Sequence, residues 1–173
     1  MINPEITVAE FFRHRLKQIG ADHLSAVPGD FVPCFFDQLL KSEVKRAVTC
    51  NELNAAYTAD GYARLRGIGA LSTALGVKEL SAIDVVTGNF AEGVPRAVIT
   101  GSPAAISFST RSLPHHTPCN YQIPLKMYKK IKAASIRPSC GETALAEIGS
   151  VAATRPPAAG LSQPHFGCGG DGM

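Results

Sequence analysis

Two carboxylic acids and a pair of imidazoles stand out among the polar residues of this sequence. Asp30 lies in VPGDF, Glu52 in TCNELNAAYTADGYAR, and His115 and His116 are adjacent in SLPHHTPCN. Imidazole titrates close to neutrality and a carboxyl group can be shifted towards it by burial, so together they can hand a proton to a bound molecule and take one back. Glu52 is the most informative of the four. Helical spacing aligns it with Ala55, Ala56, Ala59 and Ala63, so a carboxylate heads a face built for close burial. Taken singly, each has a plainer reading. Asp30 reads as the N-cap of the helix that follows it, Glu52 as an acid complementing a helix dipole, and the histidine pair as solvated loop.

The elements that must position them alternate between strand and helix. Thr7 and Glu10 form a T-x-x-E capping box ahead of Val8, Phe11, Phe12, Leu16 and Ile19, and Gly20 ends that helix. HLSAVPGD reads as a strand entering a turn, residues 32–41 as a helix and VKRAVT as a strand. The Glu52 helix follows, with Asn51 as its N-cap; GIGALSTAL is then a buried strand, 79–91 a helix and RAVIT a strand. This alternation predicts an α/β fold, a parallel sheet with helices on both faces. In such sheets ligands bind outside the carboxyl ends of the strands. Asp30, Glu52 and the histidine pair all follow predicted strands, so the topology gathers them at one edge. Residues 121–134 and 142–153 read as further helices. Beyond Thr154 the chain runs RPPAAGLSQPHFGCGGDGM, and its Pro and Gly clusters predict no strand and a disordered tail. The expected organisation is one folded unit over 1–154 and a tail over 155–173.

Composition narrows the function classes. The chain has 173 residues, a hydrophobic content of 45% and a net charge of +3, which suits a globular domain with a true core. The lysines at 126, 129, 130 and 132 read as a solvated helix face rather than a nucleic-acid site. Cys34, Cys50, Cys119, Cys140 and Cys168 form no CxxC pair, and no run is long enough to span a bilayer. With no leader-like N-terminus, the expectation is reduced thiols in a cytoplasmic protein without membrane or nucleic-acid partners. The first strand–helix turn has neither G-x-G-x-x-G nor a phosphate loop, which argues against a nucleotide-binding protein.

VPGDF, CNELNAAYTADGYAR, ELSAI, AEGVP and HHT, in this order and spacing, resemble the N-terminal pyrimidine-binding domain of thiamine diphosphate-dependent 2-oxo acid decarboxylases. That family includes pyruvate, indolepyruvate and phenylpyruvate decarboxylases. The resemblance runs over residues 6–118, with a fainter trace to 153. It implies an open parallel sheet of flavodoxin-like strand order, here without its closing strand. It implies that Glu52 hydrogen-bonds the aminopyrimidine ring and favours the imino tautomer that activates the cofactor. Ala74 and Asn89 fall at cofactor-binding positions, Ala74 where relatives often carry threonine. Asp30, His115 and His116 would serve proton transfer around the substrate and product.

The resemblance also implies what lies elsewhere. In the family the diphosphate is bound through Mg²⁺ by a separate domain, normally of a neighbouring subunit. Gly170-Asp171-Gly172 repeats a fragment of that domain's motif, but only Met173 follows, so it reads as coincidence and no metal ligand is expected here. The implied function is conversion of a 2-oxo acid to an aldehyde and CO₂, with this chain inactive alone. The alternative is a non-catalytic interaction module that dimerises or associates with a full-length decarboxylase. Lys78 departs from the family, which keeps a glycine at that turn, and Arg96 enters an otherwise apolar strand.

Overall fold

The computed structural model describes residues 6–103, 120–131, 134–137, 141–153, 161–162 and 165–167. The first helix, α1 (Val8–Gln18), opens on the expected capping box: Thr7 Oγ1 accepts from the Glu10 amide at 3.2 Å, and the Glu10 carboxylate accepts from the Thr7 amide at 2.9 Å. That backbone hydrogen bond is the main reason the Glu10 carboxyl titrates below its usual range. Gly20 follows the helix at φ +85°.

After α1 come β1 (His23–Ala26), α2 (Pro33–Leu40), β2 (Lys45–Val48), α3 (Glu52–Arg66) and β3 (Gly69–Ala74). They are followed by α4 (Val77–Ser81), α5 (Ile83–Glu92) and β4 (Arg96–Ser102). The remaining described elements are α6 (Ile123–Tyr128), β5 (Ala134–Ser135), α7 (Gly141–Ala153), β6 (Leu161–Ser162) and β7 (His165–Gly167). The sheet order is β2-β1-β3-β4-β6-β5, with β7 also paired to β4, and all the described pairs are parallel. The expected flavodoxin-like order over the first four strands is therefore present. Register aligns the strand ends: Ala26 lies opposite Val48 and Ser72, and Ala74 opposite Gly101.

Alternate residues of each strand feed two cores. Leu24, Ala26, Ala70, Ala97 and Ile99 pack with Phe12, Leu16, Phe35, Leu39 and Ile148 of α1, α2 and α7. Leu71 and Val98 point the other way, into Ala55, Ala56, Ala59, Val85, Val86 and Tyr128 of α3, α5 and α6. Helices thus cover both faces, which is why β3 and β4 are buried along their whole length.

Three boundaries differ from the sequence reading. The helix expected over 79–91 is two helices that meet at Ala82, and nothing in the neighbouring side chains marks that break. The helix expected over 121–134 stops at Tyr128, because the next turn is drawn onto the sheet. Arg96, only 4% exposed, donates from Nη2 to the Ile131 carbonyl at 3.1 Å, and burial lowers its pKa to about 10. Desolvation likewise pushes the neighbouring Tyr128 phenol far above its usual range. The expectation of no strand beyond residue 154 is corrected as well: β6 and β7 pair with β4. Proline removes only the one ladder donor at its own position, so a proline-rich composition does not by itself exclude short paired segments. Among the described residues, the edge beyond β4 is made of strands two and three residues long.

Two close approaches set the layer spacing. A Cβ on Gly69 would lie 2.1 Å from the Ala59 carbonyl oxygen, so α3 rests directly on the start of β3. A Cβ on Gly101 would lie 2.4 Å from Val32 Cγ1 and 2.6 Å from the Phe31 carbonyl oxygen, so the β1–α2 turn sits on the end of β4. Gly69→Ala is expected to lose about 1–3 kcal/mol in urea unfolding, since backbone must move to admit the methyl group. Gly61→Ala, on the exposed side of α3 with open space around it, is expected to gain roughly 0.5–1 kcal/mol. Equal effects of the two substitutions would show that α3 does not rest on Gly69.

Candidate functional site

Strand order reverses direction about β1: the chain passes from β1 to β2 on one side and then to β3 on the other. The exits of β1 and β3 therefore diverge and leave a crevice at the carboxyl edge of the sheet. Three connections border it: Val27–Val32 after β1, Thr49–Asn51 after β2, and Leu75–Gly76 after β3. The ladder continues into them, with Thr49 N donating to the Ala26 carbonyl at 3.1 Å and Leu75 N to the Gly101 carbonyl at 2.8 Å.

Glu52 opens α3 on this edge. Asn51 caps the helix as expected, its Oδ1 accepting from the Asn54 amide at 2.8 Å. Ala55, Ala56, Ala59 and Ala63 are all buried, so the alanine face lies against the sheet with Glu52 at its head. Glu52 is half-buried, and no hydrogen bond or ion pair among the described residues engages its carboxylate.

Asp30 is not the N-cap of α2. That position is Val32, with no side-chain cap, and Asp30 instead pairs with Lys78 of α4 across the crevice at 3.4 Å. The adjoining Phe31 adopts φ +72°, a left-handed conformation that costs a non-glycine residue energy and re-aims the turn. The sequence reading marked Lys78 only as a departure from its family; its partner became visible once β1 and β3 were neighbours.

The two further residues expected at cofactor-binding positions are both buried. Ala74 closes β3 at 2% exposure and offers almost no surface to a ligand. Asn89 is 3% exposed near the far end of α5, which runs back away from the carboxyl edge. Its Nδ2 donates to Asp60 Oδ1 of α3. That contact is the middle rung of a polar ladder between the two helices: Tyr57 Oη donates to Asp84 at 3.3 Å, and Arg64 Nη2 pairs with Glu92 at 2.6 Å. His115, His116 and the Gly170-Asp171-Gly172 string lie outside the described residues.

Sequence reasoning missed three features. Glu79, fully buried in the first turn of α4, accepts from the Gly76 amide at 3.2 Å, and its carbonyl accepts from Tyr128 Oη at 2.5 Å. The G-x-x-E spacing of Gly76 and Glu79 was the available signal. Ser102 Oγ, buried at the end of β4, has no partner among the described residues. An open depression on the outer side of α3 is lined by Thr49, Cys50, Asn54, Tyr57 and Thr58, and Glu52 does not reach it. Among the described residues no group of three or more His, Cys, Asp or Glu could hold a metal ion. Cys34 and Cys50 are free and exposed, and no described helix is long and apolar enough to cross a membrane.

Comparison with known proteins bears on this edge directly. The family described as "Thiamine pyrophosphate enzyme, N-terminal TPP binding domain" matches residues 6–122, which include β1 to β4, Asp30, Glu52 and Lys78. A pyruvate decarboxylase of Aspergillus parasiticus is 39% identical over 145 residues, covering 83% of this chain and 25% of that protein. A putative pyruvate decarboxylase of Schizosaccharomyces pombe is 40% identical over 149 residues, covering 83% and 26%. An alpha-keto-acid decarboxylase of Mycobacterium avium is 44% identical over 115 residues, covering 66% and 20%. The chain thus spans about a quarter or less of the length of these relatives. The open parallel sheet, its strand order and a family match over most of the chain lead to one assignment: this chain belongs to the thiamine pyrophosphate enzyme family, as its N-terminal TPP-binding domain.

Proposed function

We propose that this chain binds the aminopyrimidine end of thiamine diphosphate against Glu52, as one half of a site that converts a 2-oxo acid to an aldehyde and CO₂. The observation that carries this reading is the Glu52 carboxylate, half-buried at the carboxyl edge and engaged by nothing among the described residues. A carboxylate left unengaged in such a place is suited to a hydrogen bond with a ring nitrogen of a ligand. When bound, the cofactor supplies the carbanion chemistry. The chain's own part is positional. Asn51 fixes the first turn of α3, the alanine face seats that helix on β3, and together they hold the Glu52 backbone beside the strand exits. Glu52 would then orient the ring and hold a proton at its carboxylate. Asp30, His115 and His116 are assigned the proton steps at substrate and product. Ala74 and Asn89 are assigned to the cofactor side of the site, Ala74 through its place at the end of β3 and Asn89 through its contact with Asp60 of α3.

The residues present fit the ring end of the cofactor. The diphosphate and Mg²⁺ are assigned to a separate domain, as the family resemblance implies. The cofactor-binding unit is taken as 1–154, with 155–173 following it and supplying β6 and β7 to the sheet edge. The exposed free thiols of Cys34 and Cys50 favour the reducing cytoplasm.

A second reading, association with another copy or with a full-length decarboxylase, is favoured by one observation. Tyr57, Val77 and Phe90, on α3, α4 and α5, are 53%, 53% and 41% exposed. Large apolar side chains displayed on one helical layer suit a protein interface. Sedimentation of the chain alone, and mixed with a full-length pyruvate decarboxylase, tests it; a monomer in both experiments would exclude it.

Glu52→Gln keeps the shape of the side chain and removes its charge. It is expected to weaken thiamine diphosphate binding at least about tenfold, or about 1.4 kcal/mol, with the circular dichroism spectrum unchanged. Equal binding by both proteins would overturn the role given to Glu52. With thiamine diphosphate, Mg²⁺ and pyruvate supplied, the 173-residue chain is expected to release no CO₂. Turnover that disappears in Glu52→Gln would show that the chain builds a whole site, against the half-site reading.

A further inference from the structure

Lys78, the partner of Asp30, has a place in the crevice that the proposed reaction leaves unused. Lys78 leaves the first turn of α4, crosses the crevice between the exits of β1 and β3, and sets Nζ 3.4 Å from Asp30 Oδ2. Its head lies so close to the β1–α2 turn that a Cβ on Gly29 would be 2.8 Å from Nζ. The two partners differ in their access to water: the Lys78 side chain is 20% exposed, that of Asp30 58%. The cation is largely withdrawn, and its carboxylate faces solvent.

This is a loose pairing. Good charge-assisted hydrogen bonds of this type are roughly 2.7–2.9 Å long, and Asp30 does not close the gap. Its turn is held by the left-handed Phe31, whose carbonyl rests on Gly101. An exposed ion pair of this kind is weak and exchanges readily. A sheltered ammonium whose anion among the described residues is distant, solvated and fixed in place can take a better-placed carboxylate. The adjacent acid, Glu79, is turned into the protein and bonded to the Gly76 amide. The location is the switch-point crevice, where ligands of open parallel sheets bind.

We propose that Lys78 binds the carboxylate of a small 2-oxo acid in this crevice by exchanging Asp30 for it. The inference deepens the decarboxylase reading and rests on it for the substrate class. Lys78 then acts as a specificity residue: it favours the anionic acid over a neutral carbonyl compound, and Asp30 is the internal competitor that keeps the cation paired when no ligand is present.

The test is saturation-transfer NMR with pyruvate and the 173-residue chain, no cofactor added, with circular dichroism to confirm that each variant is folded. Lys78→Met is expected to weaken pyruvate binding at least about tenfold, and Lys78→Arg to retain most of it. Asp30→Asn is expected to tighten binding by roughly two- to fivefold, because the competing carboxylate is gone. Methyl pyruvate, which lacks the charge, is expected not to bind. No pyruvate binding by the parent chain, unchanged binding in Lys78→Met, or weaker binding in Asp30→Asn would each overturn the inference. Thiamine diphosphate binding is measured on the same samples. Cofactor binding without pyruvate binding overturns the Lys78 inference and leaves the Glu52 reading standing. Pyruvate binding that depends on Lys78, without cofactor binding, does the reverse.

Discussion

The contact between the alanine face of α3 and the start of β3 sets the geometry of everything above it. Gly69 has no room for a side chain because the Ala59 carbonyl occupies the space, and Ala55, Ala56 and Ala63 continue the same close seat. Packing of this kind leaves few voids and tolerates little change in volume. It fixes the distance between helix and sheet, and with it the place where the helix begins. Since the helix begins at Glu52, a packing constraint at the bottom of the sheet becomes a positional constraint on a carboxylate at the top.

The same logic holds at the neighbouring exit. Gly101 lets the β1–α2 turn settle on the end of β4, and Phe31 takes a left-handed conformation to make that fit. Asp30 is presented by a turn whose shape is decided by contacts below it. Lys78 reaches that turn from α4, whose own first turn is tied down by the Gly76–Glu79 hydrogen bond. The carboxyl edge is therefore assembled from three short connections, each anchored in the packed layers rather than in its partners.

Much of this was legible in the sequence. The Thr7–Glu10 box, the Asn51 cap and the alanine spacing are local signals, and local signals survive folding when the tertiary contacts agree with them. Strand–helix alternation gave the layers, and five motifs in order gave the family. What was not legible depends on neighbours distant in the chain. Asp30 looked like a helix cap because sequence shows only the helix after it; its true partner is 48 positions away. The Asp60 partner of Asn89 is likewise distant in sequence and follows from α3 lying beside α5. The end of the helix at Tyr128 reflects Arg96, a residue on another element. The short strands at 161–162 and 165–167 arise from backbone pairing, which composition describes poorly.

The polar ladder between α3 and α5 carries a consequence for mechanics. Its three rungs, Tyr57–Asp84, Asp60–Asn89 and Arg64–Glu92, are spaced three or four residues apart on α3, so they mesh like teeth on a rack. Smooth apolar helices can creep along one another with little penalty, whereas a toothed pair must disengage every rung before it advances. One notch of travel would be a helical turn, about 5.4 Å, enough to carry Glu52 clear of the strand exits. The ladder therefore works as an axial brake, setting the height of the carboxylate above the sheet, while the alanine seat below sets its depth.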